Sequence, residues 1–193
     1  MHLSLAPVHR RGWGSLYAAL SKGTIGAEAL RELLASHDPG APCPPVYAVD
    51  VSSWPRCDAE TSPERGYLYH PSRHSAGQPI VAGWAYQLVA GLSFERDSWV
   101  TPVDAQRVRP EEDANDVAAE QVRTLTRRHP TNATPPLFVF DAGYDPVRLQ
   151  RRLEACPAQI LVRLHSGRTF YAEPEPPLQR PVGRPFRHGK KFS

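Results

Sequence analysis

The pattern of apolar and polar positions along the chain predicts the strands of one sheet. Alternation with a period of two is clearest in residues 84–94, where every second residue from Trp84 to Leu92 is apolar. The other predicted strands are short apolar runs: 46–51, 67–70, 98–103, 137–141 and 159–164. The run 67–70 alternates poorly. Short loops in the first half of this series predict three antiparallel strands before the first long helix.

Apolar residues spaced three and four apart predict the helices. Thr24 is the predicted N-cap of a helix that runs to about Ser36. Pro110 is predicted near the first turn of a long helix that ends before Pro130, and Asp145 is predicted to cap the next one. The order of elements is then β-β-β-α-β-α-β. Antiparallel strands followed by α/β units predict an α/β fold with a mixed sheet and flanking helices.

Proline divides the chain into three predicted parts. Of the 21 prolines, 12 lie in three clusters, at 39–45, 130–136 and 174–185. Residues 1–40 are predicted to form a short helical segment and a linker, residues 41–170 the main domain, and residues 171–193 an extended tail rich in proline and arginine. The first part is too short to bury much of a core by itself.

Charge and cysteine content narrow the class of protein only slightly. A net charge of +3 mildly favours a polyanionic partner. Three cysteines without a C-x-x-C spacing argue against a disulfide framework or a zinc ribbon, which favours a reducing cytoplasm. No signal peptide is recognised, and no stretch approaches the roughly 20 apolar residues that span a bilayer. We therefore expect a cytoplasmic protein with no membrane partner.

Two aspartates stand in apolar strands, where an isolated carboxylate is costly to bury. Asp50 lies within the run 46–51, and Asp141 ends the run 137–141. In a sheet of this order the first strand and the strand after the first helix commonly lie side by side. Two ionised carboxylates at that distance repel, so a proton or a cation such as Mg²⁺ is expected between them. Aspartates at strand ends also cap turns and helices, and this alternative stays open.

Several motifs in one order resemble the DDE-superfamily transposases of bacterial insertion sequences, closest to a group frequent in actinobacteria. They are Tyr47-Ala-Val-Asp50-Val-Ser-Ser-Trp-Pro-Arg56, Thr61-Ser-Pro-Glu-Arg65, Ser75-Ala-Gly-Gln-Pro-Ile-Val-Ala-Gly-Trp84, Phe138-Val-Phe-Asp141-Ala-Gly-Tyr-Asp145 and Ile160-Leu-Val-Arg-Leu164. The resemblance covers roughly residues 3–190. It implies an RNase H-like fold, in agreement with the strand order predicted above.

The resemblance also implies a chemistry for the two aspartates. Asp50 corresponds to the first catalytic acid and Asp141 to the second, and both are implied ligands of Mg²⁺ or Mn²⁺. The implied activity is the cutting of transposon ends and their joining to target DNA. The implied partner is double-stranded DNA, with a homo-oligomer as an open expectation and the bacterial nucleoid as the location.

The family pattern requires a third acid, usually Glu, on a helix beyond the last predicted strand, and this acid is not recognised. The only acids after Leu164 are Glu173 and Glu175, whose neighbouring prolines oppose a helix. We therefore expect a transposase truncated at both ends. The alternatives are a catalytically inactive remnant that at most binds DNA or the intact transposase, and a metal-dependent phosphoesterase unrelated to transposition.

Two further sets of residues have a candidate role on DNA. Arg148, Arg151 and Arg152 have the spacing of one helix face, which either follows DNA phosphates or is a solvated surface. Three tryptophans, Trp54, Trp84 and Trp99, have side chains that stack on bases, although packing within the sheet is the commoner use of such residues.

Overall fold

The computed structural model describes residues 13–36, 44–69, 79–94, 100–128, 134–174 and 187–192. The elements in chain order are α1 (Trp13–Lys22), α2 (Ala27–Ser36), β1 (Val46–Pro55), β2 (Gly66–Tyr69), β3 (Ile80–Leu92), β4 (Val100–Val108), α3 (Ala114–Arg128), β5 (Leu137–Phe140), α4 (Pro146–Leu153) and β6 (Gln159–Val162).

One mixed sheet contains all six of these strands. Its strand order is β2-β3-β1-β5-β6, and β4 also pairs with β3. β3 is antiparallel to β1, β2 and β4, whereas β1, β5 and β6 run parallel. The predicted α/β class, a mixed sheet of the RNase H-like kind, is confirmed. The observed order has four strands before the long helix instead of three. The additional strand is β2, the run that alternates poorly, which pairs over four residues with the start of β3.

The two faces of the sheet differ in what covers them. Tyr47 and Val49 of β1 and Phe138 and Phe140 of β5 point into the core. They form a cluster with buried residues of the two following helices: Ala118, Ala119, Val122 and Leu125 of α3, and Leu149 and Leu153 of α4. Since side chains alternate along a strand, Asp50 and Asp141 lie on the opposite face, and both are exposed.

Two helices begin later in the chain than the sequence predicts. α2 begins at Ala27, and the amide of Leu30 donates to the carbonyl of Gly26, so Thr24 is not its cap. α3 begins at Ala114 because Asp113 caps it: the carboxylate of Asp113 accepts from the amide of Asn115 at 2.8 Å. α4 begins after Asp145, as predicted.

The N-terminal helical segment is joined to the sheet by an ion pair whose acid is buried. Arg31 of α2 donates two hydrogen bonds to Asp104 of β4, at 2.7 and 2.9 Å. Asp104 is only 2% exposed, and this ion pair raises the pKa of Arg31. No residue of α2 is fully buried, so a directional contact contributes to its attachment as well as apolar packing.

The described part of the C-terminal segment is extended. Tyr171 forms an antiparallel bridge with Lys191, and the amide of Phe192 donates to the carbonyl of Phe170. No helix in the described parts of the chain is long and apolar enough to cross a bilayer.

Candidate active site

The register of the parallel strands brings Asp50 and Asp141 together. Val49 pairs with Phe140 at the end of the β1–β5 ladder, so Asp50 and Asp141 are the next residues of two neighbouring strands. Neighbouring strands lie about 4.8 Å apart, and these two residues project from the same face. Asp50 therefore lies in β1 at the point where its pairing with β5 ends, and Asp141 lies next to it, directly after β5.

A backbone amide fixes one oxygen of each carboxylate. Asp141 Oδ1 accepts from the amide of Gly143 at 2.9 Å, and Asp50 Oδ1 accepts from the amide of Val51 at 2.8 Å. A β-carbon at Gly143 would lie 3.0 Å from Asp141 Oδ1, so glycine leaves room for this turn. The second oxygen of each carboxylate makes no hydrogen bond within the described residues and is free to accept another ligand.

Tyr144 and Gln87 connect the strands on the core side of this site. The ring of Tyr144 packs edge-on against Phe140, with centroids 5.1 Å apart. Gln87 Nε2 donates to Tyr144 Oη at 2.6 Å and to the carbonyl oxygen of Asp50 at 3.3 Å. Burial raises the pKa of Tyr144 to about 12; the hydrogen bond from Gln87 opposes this rise, and the charges of Asp50 and Asp141 add to it. Tyr144 is therefore neutral near pH 7.

A third acid does not join the pair in the described parts of the chain. Glu173 is exposed and follows Ala172, whose amide donates to the carbonyl of Lys190 in an extended pairing. Glu175 lies outside the described residues. Across residues 13–36, 44–69, 79–94, 100–128, 134–174 and 187–192, no group of three or more His, Cys, Asp or Glu side chains is arranged to hold a metal ion.

The donor chemistry of the pair fits a hard divalent cation. Mg²⁺ keeps several waters and is commonly bound by one or two carboxylates together with phosphates of the substrate. Asp50 and Asp141 offer one oxygen each without another protein partner among the described residues. Two carboxylates and a substrate phosphate would satisfy that preference.

The family model for the DDE superfamily endonucleases matches residues 1–193. The chain belongs to this family. The resemblance inferred from the ordered motifs is thus confirmed at the level of a DDE transposase. This family acts on DNA and generally uses divalent metal ions. Comparisons with the curated proteins and with the solved structures each gave no match.

The basic face predicted on α4 of this DDE-family chain is largely paired with acids at the start of α3. Arg148 contacts Asp113 and Asp116, at 2.6 and 2.8 Å, and Arg152 donates twice to Asp116. These hydrogen bonds lower the pKa of Asp116, those from Arg148 most. Arg151 is exposed and forms no ion pair with the residues that the structure describes. The arrangement joins α3 to α4 and leaves Arg151 available to other anions.

One residue beside the carboxylates was not singled out from the sequence. Val162 pairs with Phe140, and the amide of Arg163 donates to the carbonyl of Phe140, so Arg163 is next to Asp141 across the β5–β6 ladder. Its side chain is exposed and makes no ion pair within the described residues. The signal was present in the sequence, because Arg163 ends one apolar run of a parallel pair as Asp141 ends the other.

Proposed function

We propose that this chain cleaves phosphodiester bonds in DNA through Asp50 and Asp141, as part of the cutting and joining steps of DNA transposition. The observation that carries the proposal is the position of the two carboxylates. They follow the last pair of the parallel β1–β5 ladder, on an exposed face, with one unpartnered oxygen each among the described residues. Membership of the DDE superfamily supports the same chemistry.

Each residue of the site has a distinct part in this proposal. Asp50 and Asp141 hold the divalent cation, and the amides of Val51 and Gly143 orient their carboxylates. A bound cation, Mg²⁺ or Mn²⁺, would stabilise charge that develops on phosphate oxygens and lower the pKa of a bound water. Arg163 contacts a phosphate beside Asp141, which positions the strand for attack.

The first test is nicking of supercoiled plasmid or end-sequence DNA by the whole chain in the presence of Mg²⁺. We expect Asp50→Asn and Asp141→Asn each to lower the rate by at least about two orders of magnitude, the scale of losing a group that acts on the transition state. Glu60→Gln is the matched control, because Glu60 is an exposed acid outside the site. Nicking that survives both aspartate substitutions would contradict the proposal.

A second function is favoured by the lack of a third acid among the described residues. In this alternative the chain binds DNA, or an intact transposase, and does not cleave. DNA binding in the presence of Mg²⁺ without any nicking, by a chain of native fold, would support the alternative against the first proposal.

A further inference from the structure

Trp54 is exposed although it lies in a regular strand. It is 57% exposed, whereas large aromatic side chains in folded proteins are mostly buried. On its own face of the sheet it lies beside Ser52 and, across the ladder to β3, beside Trp84 and Tyr86, so the ring belongs to a group of aromatic side chains.

Trp54 shares a strand and a face with Asp50. The pairs Asp50–Leu88, Ser52–Tyr86 and Trp54–Trp84 follow one another along the β1–β3 ladder. Four residues of strand separate Trp54 from Asp50, or about 13 Å. A stacked nucleic-acid strand advances about 3.4 Å per nucleotide, so the ring is within about four nucleotides of a phosphate held at Asp50.

The backbone of Trp54 lies close against β3, and its ring has Tyr86 as an aromatic neighbour. The ring lies 6.1 Å from that of Tyr86, tilted by 53°. A β-carbon at Gly83 would lie 2.3 Å from the carbonyl oxygen of Trp54, so only glycine permits this approach of β1 and β3. The amide of Arg56 then donates to the carbonyl of Ala82 at 2.7 Å. A tryptophan side chain has only two side-chain torsions, so it loses little conformational entropy when a ligand stacks on it.

Two guanidinium groups lie over aromatic rings of β2 and β3, on the side of the sheet near Trp54. The guanidinium of Arg107 lies over Trp84, 5.4 Å from the ring centroid, and that of Arg65 lies over Tyr67 at 5.9 Å. Tyr67 is 67% exposed on β2, which pairs with the same strand β3. Exposed rings together with arginines are the means by which proteins bind unpaired nucleic-acid strands, since each base offers a face for stacking.

We propose that Trp54 and Tyr86 form a stacking site for an unpaired DNA base near the phosphate that is cut. This inference rests on the proposed function for its placement, but binding by itself requires neither metal nor cleavage. The site distinguishes DNA with unpaired nucleotides next to the cut from fully paired DNA, because the bases of an intact duplex are already stacked on one another.

The test compares two DNA probes with the whole chain, by fluorescence anisotropy in EDTA. One is a labelled duplex and the other is the same duplex with a short single-stranded overhang. We expect tighter binding of the overhang probe, and Trp54→Ala should weaken it about tenfold while duplex binding stays unchanged. Trp54→Phe should retain most of the preference. Phe94→Ala is the matched control, because Phe94 is 71% exposed beyond the far end of β3.

Equal binding of both probes by the wild-type chain would overturn the proposal, as would an equal loss on both probes in Trp54→Ala. Should the alanine variant fail to fold, the fluorescence difference between wild type and Trp54→Phe isolates Trp54. Quenching of that signal by oligo(dT) is expected, and an unchanged signal would refute the stacking site. Asp50→Asn should keep the overhang preference, so a failure of cleavage is distinguishable from a failure of stacking.

Discussion

The hydroxyl of Tyr144 responds to the charge of both Asp50 and Asp141. Its pKa of about 12 follows first from burial and then from the two carboxylates. We expect the double variant Asp50→Asn/Asp141→Asn to lower this pKa, and to leave it above 10 because the burial remains. The measurement is the tyrosinate absorbance of each protein minus that of its Tyr144→Phe counterpart. An unchanged pKa in the double variant would contradict the proximity of the carboxylates to Tyr144.

The same shift makes stability depend on pH in alkaline solution. Because the pKa is higher in the folded chain than in the unfolded chain, stability is full below about pH 10 and falls as pH rises to 12. The loss is on the order of 2–3 kcal/mol and is complete only above pH 12. Tyr144→Phe should remove this component, so its free energy of unfolding should fall less steeply over that range.

The sequence predicted the positions of the two aspartates better than the exposure of Trp54. Asp50 and Asp141 could be placed on neighbouring strands because apolar runs surround them. Trp54 could not be predicted as exposed, since exposure depends on how far β1 extends beyond β5 and on what covers that face. Trp99 lies outside the described residues. The catalytic roles of the two aspartates stay predictions until the nicking experiment is done.

At the scale of elements, the Arg31–Asp104 ion pair attaches α2 to β4. Asp104 is buried, and its charge is compensated by Arg31, which keeps only 17% of its side chain exposed. We expect Arg31→Met to destabilise the chain by about 3–5 kcal/mol, because it leaves a buried charge without its partner. The double variant Arg31→Met/Asp104→Leu should recover much of this loss. Urea unfolding measures both.

Arg151→Met is the control for the loss of an exposed arginine without an ion pair among the described residues. An Arg31→Met variant no less stable than this control would show that the pair contributes little. The attachment of α2 would then depend mainly on its apolar contacts.

Element types were easier to predict than element ends. The apolar stripe of α3 was visible in the sequence, but its start depended on a competition between caps. Proline and acids at 110–112 suit a first helical turn, yet these residues form a separate turn, with the amide of Glu112 donating to the carbonyl of Arg109. Asp113 then supplies the cap. The run 67–70 was among the predicted strands, but its poor alternation gave no indication of its partner, which is the start of β3.

The whole molecule has a small net charge of +3, so DNA affinity depends on which arginines are free. Many arginines of the described residues are paired with acids, among them Arg31, Arg56, Arg107, Arg109, Arg123, Arg127, Arg148 and Arg152. The sequence could not separate these from unpaired arginines, because the partners of Arg148 and Arg152 lie on another helix. A count of basic residues therefore overstates the surface available to phosphates.

The contrast between arginines paired with acids and unpaired arginines predicts how DNA binding depends on salt. Each phosphate contact contributes about 0.9 to the slope of the logarithm of affinity against the logarithm of salt concentration. Arg163→Gln and Arg151→Gln should each lower the slope by about 1, since both side chains are exposed without an ion pair among the described residues.

Arg148→Gln should leave the slope unchanged and lower the free energy of unfolding, because Arg148 joins α4 to α3 through Asp113 and Asp116. Anisotropy titrations over a series of NaCl concentrations decide between these outcomes. An equal fall in slope for Arg148→Gln and Arg163→Gln would show that DNA displaces the interhelical ion pairs, and the α4 face would then be a direct contact surface.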